Sequence, residues 1–256
     1  MGQDSSVGDQ AFHTTRWTLV VRAYREGGEE VVREAREALE QLCSTYWYPL
    51  YALARREGLG SDGAEDAVQG FLAELLERRD LAQADPDQGR LRAYLSVAFR
   101  HYLSNERRRA GALKRGGDRL RLPMDPAQAE ERYGGASGQA LDPAALFDRA
   151  WALTLIEQVL AELEEGYRQR GRGAWFDALR PGLVGDVGLA NHARAAEGLG
   201  STEGEVKVAA HRLRERFREA LLQAVAHTLE EPEAESQRLA GRQVELAALF
   251  AALGAG

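Results

Sequence analysis

The stretch from Arg90 to Arg109 reads RLRAYLSVAFRHYLSNERRR, with arginines at both ends and aromatic rings between them. These residue types suit one chemistry well. Guanidinium groups neutralise phosphates, and flat rings give unpaired bases a surface to stack on. Arg92, Arg100, Arg107, Arg108 and Arg109 supply the charge, while Tyr94 and His101 supply planes, as Phe99 and Tyr102 can. Asn105, close to the basic end, can hydrogen-bond a base edge. Phe99 and Tyr102 also extend an apolar stripe, so a place in a core is equally open to them. Between Arg90 and Arg121 ten Lys/Arg face only Glu106 and Asp118, a local charge of +8 in a chain whose net charge is −7. A solvated helix face is the ordinary alternative for such a run. Its clustering where acids are absent favours nucleic acid, because distribution and not the sum decides.

A second constellation lies near the C-terminus. HARAAEGLG, His192 to Gly200, is followed by STEGEVKVAAHRLRERFR, Ser201 to Arg218. Gly200 after Leu199 predicts a sharp turn, since glycine tolerates the left-handed backbone that ends a helix. Thr202 and Glu205 have the spacing of a capping box for the next helix. In that helix Val206, Ala209, Leu213, Phe217 and Leu221 fall on one side. Lys207, His211, Arg212, Arg214 and Arg218 are left for a groove and its phosphates. A plain helical hairpin gives the same periodicity, but not the basic exposed face.

Catalysis finds no support. The pairs Glu65-Asp66 and Glu29-Glu30 are adjacent on helices and diverge rather than share a site. No phosphate-binding glycine loop, zinc-protease helix or nucleophile elbow occurs. One cysteine, Cys43, and five scattered histidines offer no ligand spacing, so neither metal nor cofactor is expected. No apolar run approaches the ~20 residues of a membrane span, and the polar start from Met1 to Gln10 is unlike a signal peptide. The reading is cytoplasmic, not membrane-bound.

The elements that position these residues are helical throughout. Val68, Phe71, Leu72, Leu75 and Leu76 form one stripe over Ala64–Arg79, with Ser61-Asp62 offering an N-cap and Glu65 and Asp66 in the first turn. Leu91, Leu95, Ala98, Tyr102 and Leu103 repeat the pattern over Gly89–Arg109. Thr15–Tyr24 and Glu29–Glu57 read as two earlier helices, the second with a kink or break expected near Trp47-Tyr48 from Pro49. From Gly116 to Asp142 glycines and prolines interrupt the pattern, which predicts a linker. Leu146–Arg170 then carries a wide apolar face, Trp175–Leu179 is a short segment before Pro181, and Val244 to Leu253 reads as a last amphipathic helix. The fold class is therefore all-α: two helical domains, residues 12–115 and 143–229, joined by a flexible linker, residues 116–142. A disordered tail, residues 1–11, precedes them, and an acidic, amphipathic C-terminal extension, residues 230–256, follows.

In order and separation these motifs resemble the extracytoplasmic-function sigma factors of bacterial RNA polymerase, over roughly Phe12 to Leu229. DGAEDAVQGFLAELL, Asp62 to Leu76, is similar to the family's polymerase-binding helix, Gly89–Arg109 to its minus-ten segment, and the helix-turn-helix to its minus-thirty-five reader. FHTTRW, Phe12 to Trp17, and FDRAWALTL, Phe147 to Leu155, resemble a subgroup with long tails. The resemblance implies a promoter-specificity factor and not an enzyme. Glu65, Asp66, Gln69 and Leu72 would dock on the clamp helices of the largest polymerase subunit, and the second domain on the flap. Arg92, Tyr94, Arg100, His101, Asn105, Arg107, Arg108 and Arg109 would engage the minus-ten region of promoter DNA. Thr202, Glu203, Lys207, His211, Arg212 and Arg214 would read the upstream element. The resemblance also leaves room for an anti-sigma or other regulatory partner. Four positions depart from the family's wording: Arg194 stands where an acid is usual, Ala195 where a larger aliphatic residue is, Gly198 weakens its helix, and Ser201 replaces an apolar residue. The changes at Ala195 and Ser201 predict about 1–3 kcal/mol less apolar burial in the hairpin.

Overall fold

A computed structural model describes residues 29–77, 91–110, 126–136, 142–184, 190–226 and 235–254. The expected tail at 1–11, the helix Thr15–Tyr24, Arg90 and the basic residues Lys114 to Arg121 lie outside the described residues. Ten helices and no strand occur among those described: α1 Glu29–Arg56, α2 Ser61–Glu77, α3 Leu91–Ala110, α4 Pro126–Ala136, α5 Pro143–Gln169, α6 Gly173–Leu179, α7 Pro181–Val184, α8 Ala190–Leu199, α9 Glu203–Ala226 and α10 Glu235–Gly254. The all-helical class follows the sequence.

The centre of the molecule is α1. Tyr46, Trp47, Tyr48, Leu50, Tyr51, Ala52, Leu53 and Ala54 are all buried, so this half of the helix is covered on every side. A helix apolar all round must sit at the middle of its fold. Pro49 does not break it, and α1 runs as one element through that position. Proline removes one intrahelical hydrogen bond, and burial of the flanking aromatics outweighs that loss.

On one side α1 packs against α2 and α3, where Phe71 lies 5.0 Å from Phe99 and 5.6 Å from Tyr102 between ring centroids. On the other side it packs along α5. Tyr46 stacks on Phe147 at 6.5 Å, Thr45 Oγ1 donates to Gln158 Oε1 at 3.1 Å, and Gln158 Nε2 donates to Ser44 Oγ at 3.2 Å. The helices of the two expected domains thus contribute to one continuous buried cluster.

The stretch expected as a flexible linker contains α4, a helix fastened to its neighbours. Glu130 accepts from Tyr51 Oη at 2.6 Å and pairs with Arg55 at 2.9 Å. Arg132 lies 3.8 Å over the Tyr48 ring and pairs with Glu157 of α5 at 3.0 Å. These polar and cation–π contacts leave no apolar stripe in the sequence, which is why periodicity missed the helix. The flanking residues 116–125 and 137–141 are outside the described set.

Two helix starts bear on the sites. For α2 the cap is one residue earlier than expected: Ala64 N–H donates to the Gly60 carbonyl at 2.8 Å, while the Ser61 hydroxyl bonds Asp62. α5 begins at Pro143, three residues before the apolar stripe, because Asp142 Oδ1 accepts from Ala144 N and Ala145 N at 2.8 Å each.

Candidate nucleic-acid interface

The basic helix α3 separates into an inner and an outer set. Arg92 is not on the surface: it is 7% exposed, pairs with Asp148 Oδ1 and Glu245 Oε1 at 2.6 Å each, and lies 4.8 Å over the Trp151 ring. Burial alone pulls its pKa down, but Glu245 and Asp148 together hold it above the ordinary value. The expected phosphate contact of Arg92 is therefore replaced by an internal one. Phe99 is fully buried, and Tyr94 and Tyr102 are half-buried against the same core, so these rings are spent largely on packing.

The outer set is His101, Ser104, Asn105, Arg107, Arg108 and Arg109, all exposed. Arg107 reaches back to the turn after α1, donating to the Glu57 carbonyl at 2.6 Å and meeting its carboxylate at 3.4 Å. Arg108 Nη2 donates to Asn105 Oδ1, and Arg109 pairs with Glu106 at 3.2 Å. Asn105 thus uses its carbonyl oxygen within α3, and its amide N–H groups have no partner among the described residues. Arg100 is half-buried, and its Nε and Nη2 meet no partner among the described residues. Shielded donors on a charged group are costly to leave unmet, and because both nitrogens are closed to solvent they are not open to a phosphate from outside.

On α2 the four residues expected to meet a protein partner also divide. Asp66 is exposed and Glu65 half-exposed, but Leu72 is 4% exposed and belongs to the core. Gln69, 9% exposed, donates from Nε2 to Glu65 Oε1 at 2.9 Å. The stripe that made Leu72 legible as apolar is the stripe that buries it.

The α8–α9 pair forms as its sequence predicts. Gly200 has φ +60°, and its N–H and that of Ser201 donate to Glu197 O at 3.3 Å and Ala196 O at 3.0 Å, closing α8. The capping box is reciprocal: Glu205 N donates to Thr202 Oγ1 at 3.3 Å, and Thr202 N donates to Glu205 Oε2 at 3.0 Å. Ser201 Oγ adds a bond to the same carboxylate at 2.6 Å, so this residue serves the cap and not the hairpin core. These donors, Ser201 first and then Thr202, hold the Glu205 carboxyl below its usual pKa.

On α9 Val206, Ala210, Leu213 and Leu221 are buried, with Ala210 in the place expected for Ala209. Ala195 of α8 and Ala210 flank a small hollow of about 20 Å³. Lys207, His211, Arg212, Arg214 and Arg218 are all exposed. Lys207 pairs with Glu203 at 2.8 Å, which lowers the Glu203 pKa, and Thr202 is occupied by its cap. Arg214 leans toward α7, its Nε 3.4 Å from the Gly182 carbonyl.

A feature that periodicity did not reveal lies on the other flank of α9. Arg212 and Arg216, one turn apart, face Arg172 and Trp175 across an open groove of about 420 Å³. Arg172 lies 4.8 Å over the Trp175 ring and Arg216 6.0 Å over Tyr167. Gly171, at φ +67°, turns the chain from α5 into α6 and so brings Arg172 to this flank. The signal in the sequence was the run RGRGAW from Arg170 to Trp175, which reads as a loop without the fold.

Among the described residues no cluster of His, Cys, Asp and Glu can hold a metal ion, and no helix is long and apolar enough to cross a membrane. Compared with known proteins, the chain matches no family model, no curated protein and no solved structure.

Proposed function

We propose that this protein is a sigma-type transcription initiation factor, which binds core RNA polymerase and directs it to promoter DNA. The observation that carries the reading is the α8–α9 pair: a glycine-closed first helix, a capped second one, and Lys207, His211, Arg212 and Arg214 together on its exposed surface. Those residues enter the major groove of the upstream element. The outer set of α3, His101, Asn105 and Arg107 to Arg109, engages the minus-ten region. Glu65 and Asp66 are the accessible part of α2 for the polymerase clamp. The reading is tested by retention of purified core polymerase on the tagged protein. Stoichiometric capture by the wild type and its loss with Asp66→Lys support it; no capture by the wild type removes the polymerase half of the proposal.

Burial of Leu72 and Gln69 favours a second reading, a stand-alone helix-turn-helix regulator that needs no polymerase face. Under that reading the protein footprints a DNA site alone, and Asp66→Lys changes nothing.

A further inference from the structure

We infer that the groove between α6 and α9 is a phosphate-backbone clamp, which extends the duplex contact of α9 beyond the residues that read bases. The inference rests on the DNA-binding reading above and adds Arg172, Arg216 and Trp175 to it. Three guanidinium groups, those of Arg172, Arg212 and Arg216, meet at this groove, and none has a hydrogen bond or ion pair among the described residues. Several arginines elsewhere are answered by acids, Arg55 by Glu130, Arg92 by Asp148 and Glu245, Arg132 by Glu157 and Arg168 by Glu164, whereas Arg108, Arg149 and Arg214 meet amide or carbonyl oxygens. The one carboxylate lining the groove, Glu205, is already engaged by Ser201 and Thr202. The groove therefore sets three guanidinium groups against one carboxylate, an excess of positive charge in a protein whose net charge is −7.

Its construction matches phosphate better than a flexible acidic chain. Arg172 lies 4.8 Å over the Trp175 ring, and Arg216 stands 6.0 Å from the Tyr167 ring, which Arg170 approaches to 5.4 Å. Stacking restrains a long side chain and keeps its planar fork of donors directed outward, the arrangement that bidentate phosphate contact uses. Position decides between partners. Arg212 belongs both to the groove and to the exposed surface of α9 with Lys207 and His211, and Val208, 51% exposed, lies between them. A duplex entered by α9 would run its backbone along Arg212, Arg216 and Arg172 without a gap.

The test measures binding of the full chain to a fluorescent mixed-sequence DNA duplex as a function of salt. It compares the wild type with Arg172→Ala/Arg216→Ala, Arg172→Lys/Arg216→Lys and Lys207→Ala/His211→Ala. Each neutralised phosphate contributes about 0.9 to the slope of log affinity against log salt. The alanine pair should flatten that slope by about two and weaken binding roughly tenfold at moderate salt, while the lysine pair keeps the slope. Unchanged helical content and melting of the alanine pair assign the loss to the contact. If the wild type and Lys207→Ala/His211→Ala differ but the alanine pair binds like the wild type, the clamp is wrong and the DNA reading stands. If the alanine pair binds DNA normally yet loses core polymerase, the groove belongs to an acidic protein surface instead. If the wild type shows no salt-dependent binding, the DNA reading itself falls, and the clamp with it.

Discussion

Arg92 and Glu245, 153 residues apart in the chain, form a buried ion pair at 2.6 Å that joins the basic helix α3 to the C-terminal helix α10. The Glu245 side chain is 1% exposed and that of Arg92 8%, with Asp148 of α5 closing the cluster from a more open position at 40%. Removing one partner of a buried pair leaves an uncompensated charge, which costs about 3–5 kcal/mol. Glu245→Ala and Arg92→Met should each destabilise the protein by about that much in chemical denaturation. The double variant Arg92→Met/Glu245→Leu should lose much less than the sum, since Asp148 can rehydrate where it stands. Equal and additive losses would mean that the two side chains do not depend on each other. The pair also fastens α10, within the expected C-terminal extension, to the rest of the fold.

The approach of α2 to α3 is fixed by Gly70. A methyl group at this position would overlap the Tyr102 hydroxyl, so either that ring or the helix that carries it must shift to admit a side chain there. Gly70→Ala raises helix propensity but overpacks the contact, at a cost of about 1–3 kcal/mol. Tyr102→Phe removes the obstructing oxygen, and the double variant should recover part of the loss when melting temperatures are compared. A Gly70→Ala protein as stable as the wild type would show that α3 slides away at no cost.

The helices themselves were legible because apolar residues recur at helical spacing, and the α8–α9 turn because Gly200, Thr202 and Glu205 act through local backbone chemistry. What distance in sequence hides is pairing. Arg92 looks like its neighbours on α3 until α5 and α10 place Asp148 and Glu245 beside it. Leu72 reads as both stripe and surface, and packing selects the stripe. The run from Tyr46 to Ala54 reads as a helix with a break at Pro49, and its central place emerges only once neighbouring helices bury it on every side. Arg172 and Arg216 stayed hidden because their relation exists only after α6 folds against α9.

Cys43 gives a direct probe of the α1 core. It is 5% exposed, and burial first, then the nearby Glu40, pushes its thiol up to about 12. The thiolate is the reactive species, so alkylation at neutral pH should be very slow in the native protein and should accelerate with unfolding. Labelling followed by mass spectrometry across a denaturant series should trace the same transition as helical signal. Fast modification of the native protein would mean that α1 opens locally without global unfolding.

The cap of α9 predicts a pH dependence whose sign can be worked out. Glu205 accepts from Ser201 Oγ, Thr202 N and Thr202 Oγ1, and these bonds hold its folded pKa below the unfolded value of about 4.3. A carboxyl depressed on folding stabilises the protein fully above its unfolded pKa, and the contribution is lost as pH falls through the lower folded value. Glu203, depressed by Lys207, acts in the same direction. Glu205→Gln keeps the shape of the capping box but removes the charge. The variant should therefore melt below the wild type near neutral pH, and the gap should close as the solution is acidified past the ordinary carboxylate range. A gap that stays constant with pH would assign the stabilisation to shape alone and would leave the charge on Glu205 without a role in starting the helix.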